Sequence, residues 1–216
     1  LRAGVLGAND GIVSTAALVV GVAAATPDVG AIATAGTAGL LAGAVSMALG
    51  EYVSVSTQRD TEQALIAKET DELERMPDEE LAELAHLLQD KGLSPELSEA
   101  AAAELTAHDA LAAHLDIELG IDRDAIANPW AAAVASAVAF TVGALLPLLA
   151  ILLPPASARV AVTFVSVLVA LTATGVLSAW LGGSPLKPAI IRLVTGGSLA
   201  MGVTFGIGAL FNASVG

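Results

Sequence analysis

Charge in this chain of 216 residues is confined to one internal segment, and that constrains the fold more than any motif does. Of 22 acidic residues, 19 fall between Arg59 and Ala127, with five of the nine basic ones, giving that segment a net charge of −14. The flanks are nearly charge-free and contain apolar runs of about 18 residues or more, enough for a helix to cross about 30 Å of hydrocarbon. Two solvents follow: lipid for the flanks and water for the segment between them. A hydrophobic content of 55% would be high for a soluble domain, and its uneven placement points the same way. The acidic block excludes nucleic acid as a partner, because neutralising phosphates takes Lys and Arg. It attracts cations instead. With no cysteine there are no disulfides and no thiolate metal ligands. The N-terminus has no signal-peptide pattern, and a chain opening at Leu1 rather than Met leads us to expect further residues upstream.

Turn and breaker residues divide the chain. A first span runs from about Ala3 to Ala25 and closes at Thr26-Pro27-Asp28-Val29-Gly30. A second starts near Ala31 and leaves the membrane around Ser56. Nothing before Arg75 breaks it, so the helix is expected to continue into water until Met76-Pro77. A second aqueous helix starts at Pro77, with Asp78, Glu79 and Glu80 at its positive end, and closes at Lys91-Gly92. A third runs from Ser94-Pro95-Glu96 through Glu118, ended by Gly120. Leu81, Leu84, Leu87 and Leu88 recur at helical spacing and give these helices a packing face. Asn128-Pro129-Trp130 returns the chain to the membrane at an interfacial tryptophan. The third span reaches Leu153 with a kink expected at Pro147, the fourth covers Ala158 to Leu181, and the fifth Ala189 to Phe211 after a turn over Gly182 to Pro188.

The fold class is therefore an all-α integral membrane protein: five transmembrane helices plus a three-helix cytoplasmic metal-binding domain inserted between spans two and three. Its boundaries are 1–58, 59–127 and 128–216. Arg2, Arg59, Arg123, Lys187 and Arg192 flank the membrane on the acidic segment's side, and only Arg159 on the other. The positive-inside rule places the acidic domain in the cytoplasm. The compact, alanine-rich chain suggests a bacterial plasma membrane.

Few ionisable groups lie within the spans, and such groups are costly there and commonly functional. Asp10 sits about 11 Å into the first span and Met47 about 14 Å into the second, at 1.5 Å rise per residue. The two spans run antiparallel, so these side chains share a level. Gly39, Gly43, Met47 and Glu51 form one i+4 stripe: two glycines that admit a close neighbour, then a thioether and a carboxylate. In the acidic segment Glu69 and Glu72, Glu80 and Glu83, and His114 and Glu118 are pairs sharing a helix face. Three helices presenting such pairs can surround a hard or borderline divalent cation. Any single pair is as readily a solvated acidic surface, and the sequence leaves open which acids converge.

GANDGIVST at Gly7 to Thr15, SMALGEYVSV at Ser46 to Val55, the acidic run from Glu69 to Leu84, and AHLDIELGI ending at Ile121 resemble the vacuolar iron transporter family over essentially the whole chain. The resemblance implies a homodimer with its ion path between first and second spans at the dimer interface. It also implies exchange of cytoplasmic Fe²⁺, often Mn²⁺ too, for protons. Asp10 and Met47 correspond to the family's intramembrane ligands. Glu69, Glu72, Glu80, Glu83 and Glu118 correspond to its cytoplasmic glutamates. His114 stands where plant members carry methionine, and imidazole suits Fe²⁺ and Zn²⁺ alike.

The expected function is a proton-coupled antiporter exporting Fe²⁺. No prosthetic group is expected; Fe²⁺, or Mn²⁺, Zn²⁺ or Co²⁺, is the bound or carried ion. No GxxxxGK[ST] motif is present to couple ATP, so a gradient must drive uphill movement. Three rivals remain: a manganese or broad divalent-metal exporter, a metal-regulated scaffold, and a di-iron oxidoreductase. The last requires Glu-x-x-His on two helices, and only Glu83 with His86 fits that spacing.

Overall fold

The chain, described over residues 2–122 and 125–215 in a computed structural model, consists of seven α-helices, with no strand among the described residues. They are α1 (Arg2–Ala25), α2 (Val29–Arg75), α3 (Pro77–Asp90), α4 (Pro95–Ile117), α5 (Pro129–Leu152), α6 (Arg159–Gly182) and α7 (Leu186–Val215). Of these, α1, α2, α5, α6 and α7 are long and apolar enough to cross a bilayer, and the chain is a membrane protein. The chain divides into two compact units, one holding the residues up to Tyr52 and from Trp130 onward, the other Val53–Pro129. Arg123, and the side chain of Arg2, which both entered the orientation argument, lie outside the described residues.

In the membrane unit α1 is the central helix. Ile12, Thr15, Ala16, Val19 and Val20 are all buried and, at i, i+3, i+4, i+7 and i+8, form one broad stripe. It packs on α6 and α7, and its core residues join Ile32 and Leu40 of α2, Phe140, Ala144 and Leu148 of α5, Val167 and Leu171 of α6 and Met201 of α7. α1 and α5 meet backbone to backbone. A Cβ at Gly11 would overlap the Phe140 carbonyl, and one at Gly143 the Ala8 carbonyl. Only glycine permits that approach. Where α1 passes to α2, Asp28 accepts hydrogen bonds from the N–H groups of Gly30 (3.0 Å) and Ala31 (3.2 Å), capping α2. Arg159, the first residue of α6, is buried there and its guanidinium reaches the Pro27 carbonyl at 3.5 Å. At the opposite end Tyr52 and Trp130 pack ring to ring, centroids 4.7 Å apart.

In the other unit α3 and α4 enclose a small core of Leu84, Ala85, Leu88, Ala102 and Ala113, with Leu81 against it. Leu87 lies outside that core.

Two sequence expectations change. The helix expected from Ser94 through Glu118 is broken at Asp109, whose φ/ψ of −161°/94° is not helical. The Asp109 carboxylate accepts from the Ala112 N–H at 3.0 Å, the geometry of an N-cap, so a new short helix starts there. α7 begins at Leu186 rather than Ala189, because Pro188 is tolerated in a first turn whose N–H groups have no helical partner. Gly39 and Gly43, read as admitting a close neighbour, are occupied from within the chain, and so are Gly7 and Gly11. Gly7 and Gly11 face α5, Gly39 faces Leu18, and Gly43 faces the Phe140 ring. Pro147 is accommodated within a continuous α5.

The backbone contact of α1 with α5 is testable. Gly143→Ala is expected to cost about 1–3 kcal/mol, because neither backbone can yield without separating the helices. Gly206→Ala, where a Cβ meets nothing within 4 Å, is expected to be neutral. Thermal unfolding of the two variants in mild detergent measures the difference.

Candidate metal centre

Within the unit Val53–Pro129, three helices deliver one residue each to a buried cluster: Glu69 from α2, Glu80 from α3 and His114 from the segment of α4 after Asp109. All three are buried, His114 completely. His114 Nδ1 lies 2.9 Å from Glu69 Oε1, 3.4 Å from Glu118 Oε2 and 3.7 Å from Glu80 Oε2. The 2.9 Å approach lacks hydrogen-bond alignment: Glu69 Oε1 is buried without a hydrogen-bond partner, and so is His114 Nε2. Buried polar atoms are rarely left so, and carboxylate oxygens turned toward one another call for a cation between them.

Electrostatics agree. Burial, then the nearby Glu118, pushes the Glu69 carboxyl above the ordinary range. Burial, then Glu83, does the same for Glu80. An imidazole nitrogen with several carboxylates is a donor set for a borderline divalent ion such as Fe²⁺, Zn²⁺, Co²⁺ or Mn²⁺.

Two of the three expected pairs thus split, while Glu118 stays with His114. Glu69, Glu80 and His114 converge, while their partners stand at the edge. Glu118, at the C-cap of α4, has a quarter of its side chain exposed and reaches His114. Glu83 is exposed and acts on Glu80 only through its charge. Glu72 is held at 2.6 Å by Lys68. That pairing was readable at i, i+4, but not its effect of holding Glu72 with an internal cation.

In the membrane unit Asp10 and Met47 line one cavity of about 200 Å³, with Ser14, Thr15, Leu18, Gly39, Gly43, Ser46 and Phe140. The shared level inferred from antiparallel spans therefore holds. The Ser14 hydroxyl donates to the Asp10 carbonyl at 2.6 Å, which leaves the Asp10 carboxylate free of it. Asp10 is exposed on this face of the chain. Glu51 is partly buried one turn beyond Met47 and does not line the cavity. Phe140 was missed, since nothing in an apolar α5 distinguishes one phenylalanine from its neighbours.

A model described as the VIT family matches residues 1–209. The chain belongs to the VIT family. Among relatives, "Vacuolar iron transporter" of Acanthamoeba castellanii is 43% identical over 212 residues, covering 97% of this chain and 78% of that protein. "Vacuolar iron transporter homolog 5" of Oryza sativa subsp. japonica is 40% identical over 215 residues, 99% of this chain and 81% of that protein. "Vacuolar iron transporter homolog 2.1" of Arabidopsis thaliana is 36% identical over 208 residues, 96% of this chain and 79% of that protein. These relatives are named as transporters, not as enzymes.

The raised carboxyls of Glu69 and Glu80 fix a pH dependence. Their folded-state affinity for protons exceeds that of the unfolded chain, so their contribution to stability is full below the unfolded value of about 4.3. It is lost as pH rises through the raised folded values. The metal-free protein is therefore expected to lose protection of α3 and α4 amides toward neutral pH. Glu69→Gln with Glu80→Gln should flatten that loss. Hydrogen exchange corrected for intrinsic rates measures it; an equally steep loss in the double variant would assign the effect elsewhere.

Proposed function

We propose that this chain is a proton-coupled antiporter that moves Fe²⁺ out of the cytoplasm. The observation that carries the reading is the buried cluster of Glu69, Glu80 and His114, with Glu69 Oε1 lacking a hydrogen-bond partner, in a membrane protein of the VIT family. The unit formed by about 59–127 is, in this reading, an insertion between spans two and three that faces the cytoplasm of a bacterial cell. There it captures metal. Glu118 completes the ligand set, Glu83 adds negative potential, and Glu72 joins once the ion displaces Lys68.

Metal and protons compete for Glu69 and Glu80, so binding releases protons. Asp10 and Met47 form the intramembrane site, with Glu51 one turn away as the relay, and Asp10 carries the coupled proton. A carboxylate and a thioether facing one cavity support this, since the pair offers a divalent ion both charge and a soft donor. The Glu69, Glu80 and Glu118 carboxylates suit the harder Mn²⁺ as well, which favours a broader divalent range as the second reading.

A homodimer is part of the proposal, on grounds other than the glycines. Asp10, Ser14 and Leu18, one stripe of α1, are exposed on the single chain, and a carboxylate facing lipid is costly. A second copy laid on this face would cover it. Mass measurement in mild detergent is expected to give a dimer, and a strictly monomeric species would remove this part of the proposal.

The function is tested by metal uptake into proteoliposomes under an imposed pH gradient, comparing Fe²⁺, Mn²⁺, Co²⁺ and Zn²⁺. Asp10→Asn is expected to abolish gradient-driven flux while calorimetric metal binding at Glu69, Glu80 and His114 persists. Glu69→Gln with Glu80→Gln should lose that binding. Met47→Leu should slow Fe²⁺ severalfold more than the harder Mn²⁺. Wild-type flux from folded Asp10→Asn protein would end the proposal.

A further inference from the structure

The antiparallel α1 and α2 meet in register around the cavity. Asp10 stands level with Met47, Ser14 with Gly43, and Leu18 with Gly39, each level about 6 Å further toward the α1–α2 turn at 1.5 Å per residue. The first level carries the carboxylate and the thioether. At the second, the Phe140 ring from α5 lies on Gly43 so closely that any Cβ there would overlap it. At the third, the Leu18 side chain lies on Gly39 in the same way. Phe140 is almost fully buried. Two apolar side chains, each seated on a glycine, thus follow one another beneath the ligand pair.

We propose that Phe140 and Leu18, seated on Gly43 and Gly39, are the closed gate of the path that leaves Asp10 and Met47 toward the α1–α2 turn. The inference rests on the transport reading above and adds to it the residues that regulate passage. A divalent ion cannot shed its water between a phenyl ring and an isobutyl group, so the barrier is one of desolvation. The seats dictate how it opens. α5 is held to α1 by the backbone contacts at Gly11 and Gly143, so ring and α1 stay together. Opening requires α2, which carries both glycines, to draw away from that pair. A ring parked on a glycine clears that seat with a small displacement of α2, because the glycine has no side chain to hold it.

The test is flux of Fe²⁺ into proteoliposomes without a pH gradient. Phe140→Ala is expected to raise this passive flux about tenfold or more, equivalent to about 1.4 kcal/mol off the barrier, and to lower accumulation under a gradient. Leu18→Ala should give a smaller leak, and Val138→Ala, on the exposed side of α5, none. Folding of the membrane unit, which is separate from the unit holding Glu69, Glu80 and His114, is checked by thermal unfolding of each variant in mild detergent. A second measurement does not depend on Phe140→Ala folding: because the chain has no cysteine, Leu18→Cys with Gly39→Cys can be cross-linked selectively. The cross-link should stop gradient-driven flux until it is reduced. Wild-type transport that survives the cross-link, or a folded Phe140→Ala protein that does not leak, would overturn the gate. Absence of gradient-driven flux in the wild type would instead overturn the transport reading itself.

Discussion

The membrane unit depends on helices touching α1 through their backbones, α7 at Gly208 against Gly21 and α5 at Gly143 against Ala8. Gly11 faces the Phe140 carbonyl and Gly143 the Ala8 carbonyl, so α1 and α5 sit closer than side chains would permit. In lipid no hydrophobic force draws helices together, and close van der Waals contact must do so. That contact aims the Phe140 ring across α1 toward α2. It leaves beside the ring a cavity in which small or polar residues, Ser14, Thr15, Gly39, Gly43 and Ser46, make room next to Leu18 and Phe140. A carboxylate and a thioether in that space are accessible to an ion, whereas larger neighbours would have packed them away.

The acidic unit works on the opposite principle. There, burial is imposed on groups that resist it. Glu69 and Glu80 are driven under the surface by the small core of Leu84, Leu88 and Ala102, and both carboxyls shift upward in consequence. Such a cluster is tense when empty and relaxed when a cation or protons enter it.

How much of this could be read in advance follows the period of the signal. Helices were legible because apolar runs, prolines and glycines act locally, and the shared level of Asp10 and Met47 followed from antiparallel counting alone. The convergence of Glu69, Glu80 and His114 was not legible. It depends on Asp109 breaking α4, and an aspartate inside an Ala-rich helical pattern is ordinary until its carboxylate is seen to cap Ala112. The glycine stripe was legible as a demand for close approach but not for its object. Glycine says that something comes near; only tertiary packing says that Leu18 and Phe140 are what arrives.

The turns joining α1 to α2 and α5 to α6 contain just two charged residues, Asp28 and Arg159. The Asp28 carboxylate is engaged by the Gly30 and Ala31 N–H groups, and the Arg159 guanidinium is tucked under the Pro27 carbonyl. At that end of the bundle the Asp28 carboxylate is committed to a helix N-terminus and the buried Arg159 guanidinium to a backbone carbonyl, so both charges serve the turns themselves.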